Sequence, residues 1–337
     1  MGGLNEEIES FLVDKKILIT GGTGSIGEKI VAALLAYQPR EIIVFDRDDS
    51  KLYEMQIKYA MHSCLRYKLA DIREYSSVVE ATQGIDLVFH TAALKQVPIC
   101  EENPFEAIKT NVIGSQNIIK ACIVNKVKKV INISTDKAVN PTNTMGMTKL
   151  LAEKLFYHAN KAKDNSTTLF TSVRFGNVIG SRGSVLPIFF EQIKANEPLT
   201  ITDLRMTRFF MTIPEAVSLL FQAACYSKGG EVFIFKMEAL KITDLLSAIE
   251  SYCKIKGFKR PEVKIIGIRQ GEKLYEELMS SEELTFVQEN DSLYLIPDLR
   301  QISDYPGFKS VKIEAYRSDQ TAGVAQEKLL AILQQFG

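Results

Sequence analysis

Short runs of apolar residues alternate with longer amphipathic segments along the first half of the chain. Five apolar runs stand out: Ile17–Thr20, Ile42–Phe45, Leu87–Phe89, Val130–Ile133 and Leu169–Val173. Such continuous hydrophobicity is typical of parallel strands that helices cover on both faces. Three segments space their apolar residues by three and four positions, as amphipathic helices do: Glu28–Ala36, Ala107–Val124 and Lys149–Ala159. This alternation predicts an α/β protein with a doubly wound parallel sheet.

After Arg174 the pattern becomes irregular, with loops rich in Gly, Ser and Arg between isolated strands and helices. A chain of 337 residues is long enough for two domains of roughly 150 residues each. We therefore expect residues 1–175, completed by parts of 205–236, to form the sheet domain. Residues 176–337 are expected to form mainly a smaller α/β lobe that packs on the sheet and binds the substrate.

Composition narrows the class of protein. Lys plus Arg number 41 and Asp plus Glu number 41, so the chain lacks the basic surface of a nucleic-acid binder. No apolar run approaches the roughly 18 residues of a membrane span, and the N-terminal residues lack the pattern of a secretion signal. The five cysteines form no CxxC pair, and the three histidines lie in separate elements. We expect a soluble cytoplasmic protein with reduced thiols and no metal site.

A glycine-rich turn follows the first apolar run and opens the first helix. Its residues are Gly21, Gly22, Thr23, Gly24, Ser25, Ile26 and Gly27, which satisfy GxGxxG from Gly22. Glycines at such a turn let backbone amides approach a pyrophosphate, and the helix N-terminus provides N–H donors for the phosphates. The pattern predicts a Rossmann-type dinucleotide site; the competing interpretation is an ordinary glycine-rich turn.

An acidic residue ends the second run, 19 residues after Gly27. Asp46 is placed to bind the adenosine ribose hydroxyls and to repel a 2′-phosphate, which favours NAD. Arg47 is adjacent and suits a 2′-phosphate, so NADP remains open. Asp71, after the third strand, either lies at the adenine edge or caps a helix. His90, at the end of the fourth strand, is expected to be structural.

A second cluster of chemically active residues follows the fifth run. Thr135, Asp136 and Lys137 come directly after it, and Lys149 opens the next predicted helix. Ligands of open α/β sheets bind at the carboxyl ends of the strands, which makes this cluster a candidate site. The competing interpretation is that Thr135 and Asp136 cap a turn while Lys137 is solvated.

Together with the glycine turn and Asp46, this cluster resembles the extended short-chain dehydrogenases/reductases. Five runs further resemble the UDP-N-acetylglucosamine branch of the nucleotide-sugar 4,6-dehydratases, which serves surface-glycan synthesis: Ala93–Pro98, Ser134–Ala138, Arg174–Val178, Ser181–Val185 and Arg269–Lys273. One departure is Met145, which occupies the place of the general acid/base Tyr in the Tyr-x-x-x-Lys motif. A thioether cannot exchange a proton, so the proton acceptor is open. Met at this position also resembles a subset of these dehydratases.

The resemblance implies an internal redox cycle on the sugar. Hydride leaves carbon 4, water is lost from carbons 5 and 6, and the hydride returns to carbon 6, so the cofactor stays tightly bound and is recycled. Lys149 would orient the cofactor and favour an alkoxide, and Thr135 would bind the 4-hydroxyl. Asp136 would protonate the departing 6-hydroxyl, and Lys137 would take the carbon-5 proton if its surroundings lower its pKa.

The resemblance also implies the remaining binding residues. Cofactor contacts beyond the glycine turn are expected from Asp46, Arg47, Asp71, Ile72, Ala92, Ala93, Lys95, Asn111 and Lys149. Contacts with UDP-N-acetylglucosamine are expected from Lys95, Thr135, Asn177, Arg182, Val185, Thr207, Arg269 and Glu272. Guanidinium forks suit the two phosphates of UDP, although an isolated arginine is more often a surface or ion-pair residue.

Several alternatives stay open from the sequence. The chain leans weakly toward a dehydratase that retains the configuration at carbon 5; an inverting 4,6-dehydratase/5-epimerase is the alternative. A UDP-sugar 4-epimerase is a second alternative, but it has no evident need for Asp136 and Lys137. A non-catalytic dinucleotide sensor is a third, but it has no evident need for Thr135, Asp136, Lys137 or Lys149. The apolar faces of the helices around 107–124 and 149–159 imply, by resemblance, a homodimer or a larger homo-oligomer.

Overall fold

The computed structural model describes residues 2–299 and 304–336, which form twelve α-helices and fifteen strands. The strands are β1 Lys16–Thr20, β2 Glu41–Asp46, β3 Leu65–Leu69, β4 Leu87–His90, β5 Lys129–Ile133, β6 Leu169–Arg174, β7 Asn177–Val178, β8 Leu199–Ile201, β9 Thr207–Met211, β10 Val232–Phe235, β11 Glu238–Lys241, β12 Val263–Ile265, β13 Gln288–Glu289, β14 Leu293–Ile296 and β15 Lys309–Ser310. The helices are α1 Gly2–Leu12, α2 Gly27–Leu34, α3 Asp49–Lys58, α4 Tyr75–Ala81, α5 Val97–Glu102, α6 Pro104–Ala107, α7 Gly114–Val124, α8 Thr144–Ala159, α9 Val185–Lys194, α10 Ile213–Tyr226, α11 Ile242–Lys256 and α12 Gln326–Phe336.

Ten strands form one sheet in the order β15-β13-β14-β10-β6-β5-β4-β1-β2-β3. Seven neighbouring strands of this sheet run parallel: β10, β6, β5, β4, β1, β2 and β3. Strand β1 lies between β2 and β4. The chain reverses direction across the sheet between β1 and β4, and this is where ligands of such folds bind. The predicted α/β class with a doubly wound parallel sheet is therefore confirmed.

Helices cover both faces of this sheet. One face packs against α1, α2 and α10, with buried residues such as Leu12, Val31 and Phe221. The other face packs against α4, α7 and α8 through residues such as Ile118 and Phe156. Burial on both faces explains why β1, β4 and β5 are almost continuously apolar.

The C-terminal half of the chain contributes to two places. Helices α9, α11 and α12 enclose an apolar cluster of their own around Phe189 and Tyr252. However, β10 pairs in parallel with β6, and β13, β14 and β15 extend the large sheet with antiparallel pairs. Residues 213–235, 288–296 and 309–310 thus return to the sheet, so the layers do not follow a single boundary along the sequence.

Two helices near the site begin or bend differently from the prediction. Helix α8 starts at Thr144, before Lys149, because the Asn143 side chain caps it by accepting from Gly146 N–H at 2.8 Å. The predicted helix over 107–124 consists of the end of α6, a π-helical turn at Ile108–Ile113 and α7. Wide turns of this kind occur frequently at functional sites, and this one carries Asn111.

Candidate active site

A cleft opens where the glycine turn after β1 meets the loop after β4. Gly21 has φ +66°, and a Cβ there would lie 2.8 Å from the Ala92 backbone. A Cβ at Gly27 would lie 2.3 Å from the Gly21 carbonyl oxygen. Both positions therefore need glycine, and the turn brings the start of α2 against the end of β1. Most of the predicted cofactor residues line this cleft: Gly21, Thr23, Gly24, Asp46, Arg47, Asp71, Ile72, Ala92 and Ala93.

The cleft fits a dinucleotide in a further respect. Thr110 also lines it, and the buried Oγ1 of Thr110 has no hydrogen-bond partner among the described residues. A buried hydroxyl without a partner costs free energy unless a ligand or water satisfies it. Sequence reasoning missed Thr110 because no motif marks it.

Asp46, which lines the cleft, accepts hydrogen bonds from the glycine turn and from the residues that follow β2. Its Oδ2 accepts from the Thr23 N–H at 3.1 Å and the Thr23 hydroxyl at 2.7 Å. Its Oδ1 accepts from the N–H groups of Arg47 and Asp48 at 2.8 and 3.2 Å. Four donors fill the acceptor sites of a carboxylate, so Asp46 ties the glycine turn to the end of β2.

Asp71 lies at the same end of the cleft within an arginine cluster. Its carboxylate contacts Arg73 at 2.6 Å and Arg47 at 3.7 Å. Burial alone would raise the pKa of Asp71, but the hydrogen bonds and charges of the two arginines hold it below its ordinary value. Asp71 therefore carries a negative charge at neutral pH beside the predicted adenine edge.

Two other residues have structural roles. Asn111 accepts from Leu94 N–H at 2.8 Å and donates to the Leu94 carbonyl at 3.0 Å, so it shapes the loop after β4 rather than lining the cleft. His90 contacts Thr20 Oγ1 at 2.7 Å and Ser115 Oγ at 3.2 Å. Burial lowers the pKa of His90 to about 3, which keeps the ring neutral.

A second pocket adjoins the first at the ends of β5 and β6. Its lining includes predicted residues from five different segments: Ile26, Lys95, Thr135, Lys137, Met145, Lys149, Asn177, Arg182, Arg269 and Glu272. Burial lowers the pKa of Lys95. Ser134 also lines the pocket, and its buried Oγ has no partner among the described residues. The structure thus brings together in one pocket residues that lie far apart in the sequence.

Thr135, Asp136 and Lys137 form a compact hydrogen-bonded group in a 3-10 turn at Asp136–Ala138. The Thr135 hydroxyl donates to Asp136 Oδ1 at 2.8 Å, and Lys137 Nζ donates to the same oxygen at 2.9 Å. Asp136 is completely buried, and its Oδ2 has no partner within the described part of the chain. Thr135 and Lys137 line the pocket, whereas Asp136 lies beneath them.

Two further charged residues surround Lys137. Glu276, buried at 3% exposure, places Oε1 3.6 Å from Lys137 Nζ and 3.9 Å from Arg208 Nε. Burial alone would lower the pKa of Lys137, but the carboxylates of Asp136 and Glu276 hold it above its ordinary value. The lowered pKa that a base requires is therefore not present in the free protein. Sequence reasoning missed Glu276, although it lies three residues after the Arg269–Lys273 motif.

Lys149 and Met145 lie one turn apart on α8. Lys149 Nζ donates to the Ile133 carbonyl at the end of β5. Burial lowers the pKa of Lys149 to about 8, so its charge changes in the range where enzymes work. Met145 is 4% exposed and packs with Cys100 and Ala107.

The predicted substrate residues divide into two groups. Asn177, Val185, Arg269 and Glu272 line a third pocket that continues from the second, and Ser184 joins them there with a buried Oγ lacking a partner in the described residues. Thr207 was expected to bind the substrate, and this prediction is corrected, because its hydroxyl contacts the Ser318 hydroxyl at 2.8 Å in the protein interior. The neighbouring Arg208 lines the pocket instead.

Arg182 lies between the second pocket and the glycine turn. Its guanidinium donates to the Thr23 carbonyl in the glycine turn, and its N–H donates to Ser25 Oγ at 3.0 Å. It lines both the dinucleotide cleft and the second pocket. Arg182 therefore bridges the cofactor turn and the substrate side instead of belonging only to the latter.

A glycine turn at the reversal point of a doubly wound sheet, next to a Thr-Asp-Lys group and a buried lysine on the following helix, defines an extended short-chain dehydrogenase/reductase. The family of polysaccharide biosynthesis proteins matches residues 17–298, and the chain belongs to this family. Both the predicted family and the Rossmann fold are thereby confirmed.

Proteins with similar sequences carry different functional names, as three relatives show. A Methanocaldococcus jannaschii protein, named an uncharacterized membrane protein, is 46% identical over 98% of each chain. The inverting UDP-N-acetylglucosamine 4,6-dehydratase of Campylobacter jejuni is 42% identical over 94% of this chain and 96% of its own length. A UDP-glucose 4-epimerase of Rickettsia bellii is 40% identical over 95% of this chain and 96% of its own length.

Solved structures show the same similarity. The X-ray structure of Pen from Bacillus thuringiensis has a TM-score of 0.90 and 42% identity, covering 96% of this chain and 98% of its own. The UDP-glucuronic acid 4-epimerase of Bacillus cereus, in complex with UDP-glucuronic acid and NAD, has a TM-score of 0.67 and 25% identity over 77% and 88%. Despite the name of the archaeal relative, none of the helices in residues 2–299 and 304–336 has the length and hydropathy to cross a membrane.

Proposed function

We propose that the protein is a UDP-N-acetylglucosamine 4,6-dehydratase that inverts carbon 5. The observation that carries the proposal is the Thr135-Asp136-Lys137 group, which places a hydroxyl and an amine at one pocket beside the dinucleotide cleft, with a buried carboxylate hydrogen-bonded to both. The expected retention at carbon 5 finds no support, since the Campylobacter relative is named as the inverting enzyme.

The cofactor is NAD. It fits the glycine turn, and the structure of the Bacillus cereus epimerase was solved in complex with it. When bound, NAD would supply a reversible hydride acceptor for the sugar. The turn from Gly21 to Gly27 would hold its pyrophosphate, and Lys149 on α8 would bind near the nicotinamide ribose. With a pKa near 8, the Lys149 ammonium stabilises negative charge on the sugar oxygen at neutral pH.

Thr135 and Asp136 form a path for the proton of the 4-hydroxyl. Thr135 Oγ1 accepts this proton from the sugar while its own proton passes along the 2.8 Å hydrogen bond to Asp136 Oδ1. Asp136 then passes the proton back to the pocket through the Thr135 hydroxyl, and the departing 6-hydroxyl leaves with it as water. The proton removed at carbon 4 thus balances the one needed at carbon 6, and Met145 has no proton to carry. Lys137 takes the carbon-5 proton from one face, and inversion at carbon 5 requires that a proton from solvent adds to the opposite face.

The third pocket, which continues beyond the Thr135-Asp136-Lys137 group, has the chemistry of a nucleoside diphosphate site. Arg269 and Arg208 line it, the N-terminus of α9 opens onto it, and Ser184 adds an unpartnered hydroxyl. Guanidinium groups and helix N-termini both bind phosphate. We propose that these groups hold the pyrophosphate of UDP, with Asn177 and Glu272 contacting the sugars.

The test is incubation with UDP-N-acetylglucosamine and NAD in deuterated water, followed by NMR of the product. The proposal predicts a 4-keto-6-deoxy sugar with deuterium at carbon 5 and inverted configuration there. Asp136→Asn is expected to lose water at least about 100-fold more slowly, as removal of a general acid does. Unchanged substrate with the wild-type protein would refute the proposed function.

A second candidate, a 4-epimerase, is favoured by the name of the Rickettsia relative. Epimerisation returns hydride to carbon 4 and leaves carbons 5 and 6 untouched, so it needs neither Asp136 nor Lys137. The same experiment separates the two activities, because an epimerase gives a product without deuterium at carbon 5 and with its 6-hydroxyl intact.

We also propose that the active form is a dimer built on α8 and the segment from α6 to α7. Large apolar side chains stand exposed there, including Phe105 at 76%, Met147 at 54% and Leu151 at 49%. Exposed apolar surfaces of this kind mark interfaces between proteins. Leu151→Asp is expected to give monomers in analytical ultracentrifugation, whereas Ile255→Asp, at an exposed position on α11, serves as the control.

A further inference from the structure

A buried carboxylate lies behind Lys137, and no step proposed above uses it. Glu276 Oε1 is 3.6 Å from Lys137 Nζ, and the residue does not belong to the lining of the sugar pocket. Its backbone is fixed on both sides by Ser318, which accepts from Glu276 N–H at 2.9 Å and donates its own N–H to the Glu276 carbonyl at 3.0 Å. Glu276 thus contacts Lys137 from the protein interior in a fixed position.

One oxygen of this carboxylate is unsatisfied. Glu276 Oε2 is buried and has no hydrogen-bond partner among the described residues. An ionised carboxylate in such a place is costly, whereas a neutral carboxylic acid is much less so. Burial raises the pKa of Glu276, and the charge of Asp136 adds to this effect, while Lys137, Arg208 and Lys273 oppose it. The site therefore favours a carboxyl group that can change its protonation state.

Lys137 needs a group of this kind. In the free protein the two carboxylates keep it an ammonium, and an ammonium cannot abstract a proton from carbon 5. Asp136 already receives the proton of the 4-hydroxyl through Thr135 in the proposed mechanism. Glu276 is the remaining carboxylate in contact with Lys137 in the described residues.

We propose that Glu276 takes a proton from Lys137 before abstraction at carbon 5 and holds it until Lys137 is deprotonated again. This inference rests on the proposed function. The ammonium and carboxylate become an amine and a carboxylic acid, so the net charge of the pair stays zero. Once carbon 4 is a ketone, the amine lone pair binds the carbon-5 proton and the C–H electron pair enters the enolate. While a solvent proton adds to the opposite face of carbon 5, Lys137 gives the abstracted proton to solvent, and Glu276 then restores the Lys137 ammonium. Glu276 thus acts through Lys137 by holding its proton. It is a positioning residue and not a catalytic one, because it does not line the sugar pocket.

The first test uses the free enzyme and does not depend on the substrate. Infrared spectroscopy follows the carboxylic-acid carbonyl band during a pH titration, and the part due to Glu276 is the band missing in Glu276→Gln. In Lys137→Met this band is expected to persist to a pH about 1–3 units higher, because an opposite charge at this distance shifts a carboxyl pKa by that amount. A band whose midpoint does not respond to Lys137→Met would overturn the inference.

The second test separates the steps of the reaction. Nicotinamide absorbance in a single turnover reports oxidation at carbon 4, and deuterium incorporation reports exchange at carbon 5. Glu276→Gln is expected to reduce the cofactor at the wild-type rate but to exchange carbon 5 at least about 100-fold more slowly. Glu276→Asp, which keeps an acid, is expected to restore part of the exchange. The control Glu277→Gln alters the neighbouring carboxylate, which contacts Asn140, and should behave as wild type.

Two outcomes would overturn the inference in this second test: normal exchange in Glu276→Gln, or equal loss of oxidation and exchange, which indicates a purely structural role. If wild-type enzyme leaves UDP-N-acetylglucosamine unchanged, the proposed function fails, and the infrared titration alone decides whether Lys137 and Glu276 share a proton.

Discussion

Replacement of Arg174 by Met is expected to destabilise the protein strongly and in a pH-dependent way. Arg174, at the end of β6, is 2% exposed and contacts two carboxylates. Its guanidinium reaches Glu153 on α8 at 2.7 Å and Glu283 at 2.8 Å. Removing one partner of a buried ion pair costs about 3–5 kcal/mol, since the other charge stays buried. At about 2.1 cal/mol/K of unfolding entropy per residue, 337 residues give about 0.7 kcal/mol/K, so Tm should fall by about 4–7 °C.

The sign of the pH dependence follows from Glu283. Burial alone would raise its pKa, but Arg174 holds it below the ordinary value. In the wild type this carboxylate stabilises the fold above its unfolded pKa of about 4.3, and the contribution is lost as the pH falls through the lower folded pKa. Without Arg174 burial dominates and the folded pKa rises, so the ionised group destabilises the variant. The loss should be larger at pH 8 than at pH 5.

Calorimetry at both pH values checks this prediction. Arg205→Met is the matched control, because Arg205 forms an ion pair with Asp203 at the surface, where its side chain is 71% exposed. Its Tm should equal that of the wild type. The reasoning would be refuted if Arg174→Met lost no more than the control, or if its loss were the same at pH 5 and pH 8.

Three other predictions concern the site. Gly27→Ala should weaken NAD binding at least about tenfold in calorimetric titration, because its Cβ would lie 2.3 Å from the Gly21 carbonyl; Gly323→Ala, whose nearest atom is 3.9 Å away, should not. Because the pKa of Lys149 is about 8, kcat/KM should fall above that pH as the ammonium is lost, and Lys149→Arg should remove this limb; an unchanged limb would contradict the assignment. The Phe336 ring lies against Gly180 in the loop before Arg182, so Phe336→Ala should speed NAD release in stopped-flow fluorescence, whereas Phe286→Ala, at a similarly exposed position, should not.

The sequence predicts the buried strands well and the edges of the sheet poorly. Strands β1, β4 and β5 lie between two helical layers, and their apolar runs mark them to within one residue. The edge strand β3 reads Leu-Arg-Tyr-Lys-Leu, with one buried residue, so it carries no such run. At the other edge, β13 and β15 are two residues long and too short for any periodicity. Strands of this kind form because the sheet is already there to pair with.

The candidate site likewise contains residues that local motifs mark and residues that only the fold brings together. The glycine turn and Thr135-Asp136-Lys137 are local motifs, so the sequence marks them directly. Glu276 and Thr110 act through the fold, which brings them beside partners distant in the chain, and no local pattern marks them. The sequence also cannot assign partners: Asp46 accepts from Thr23 in the glycine turn as well as from Arg47 and Asp48, and Thr207 faces inward although its neighbour Arg208 does not.

The bond from Arg182 to the glycine turn has a consequence for how the coenzyme is used. Arg182, from the loop before α9, donates to the Thr23 carbonyl in the turn expected to hold the pyrophosphate, so a dinucleotide bound there would be retained for as long as this contact holds. A coenzyme confined in this way behaves as a built-in prosthetic group, and sugar flux through the enzyme then draws nothing from the cell's pool of reducing equivalents.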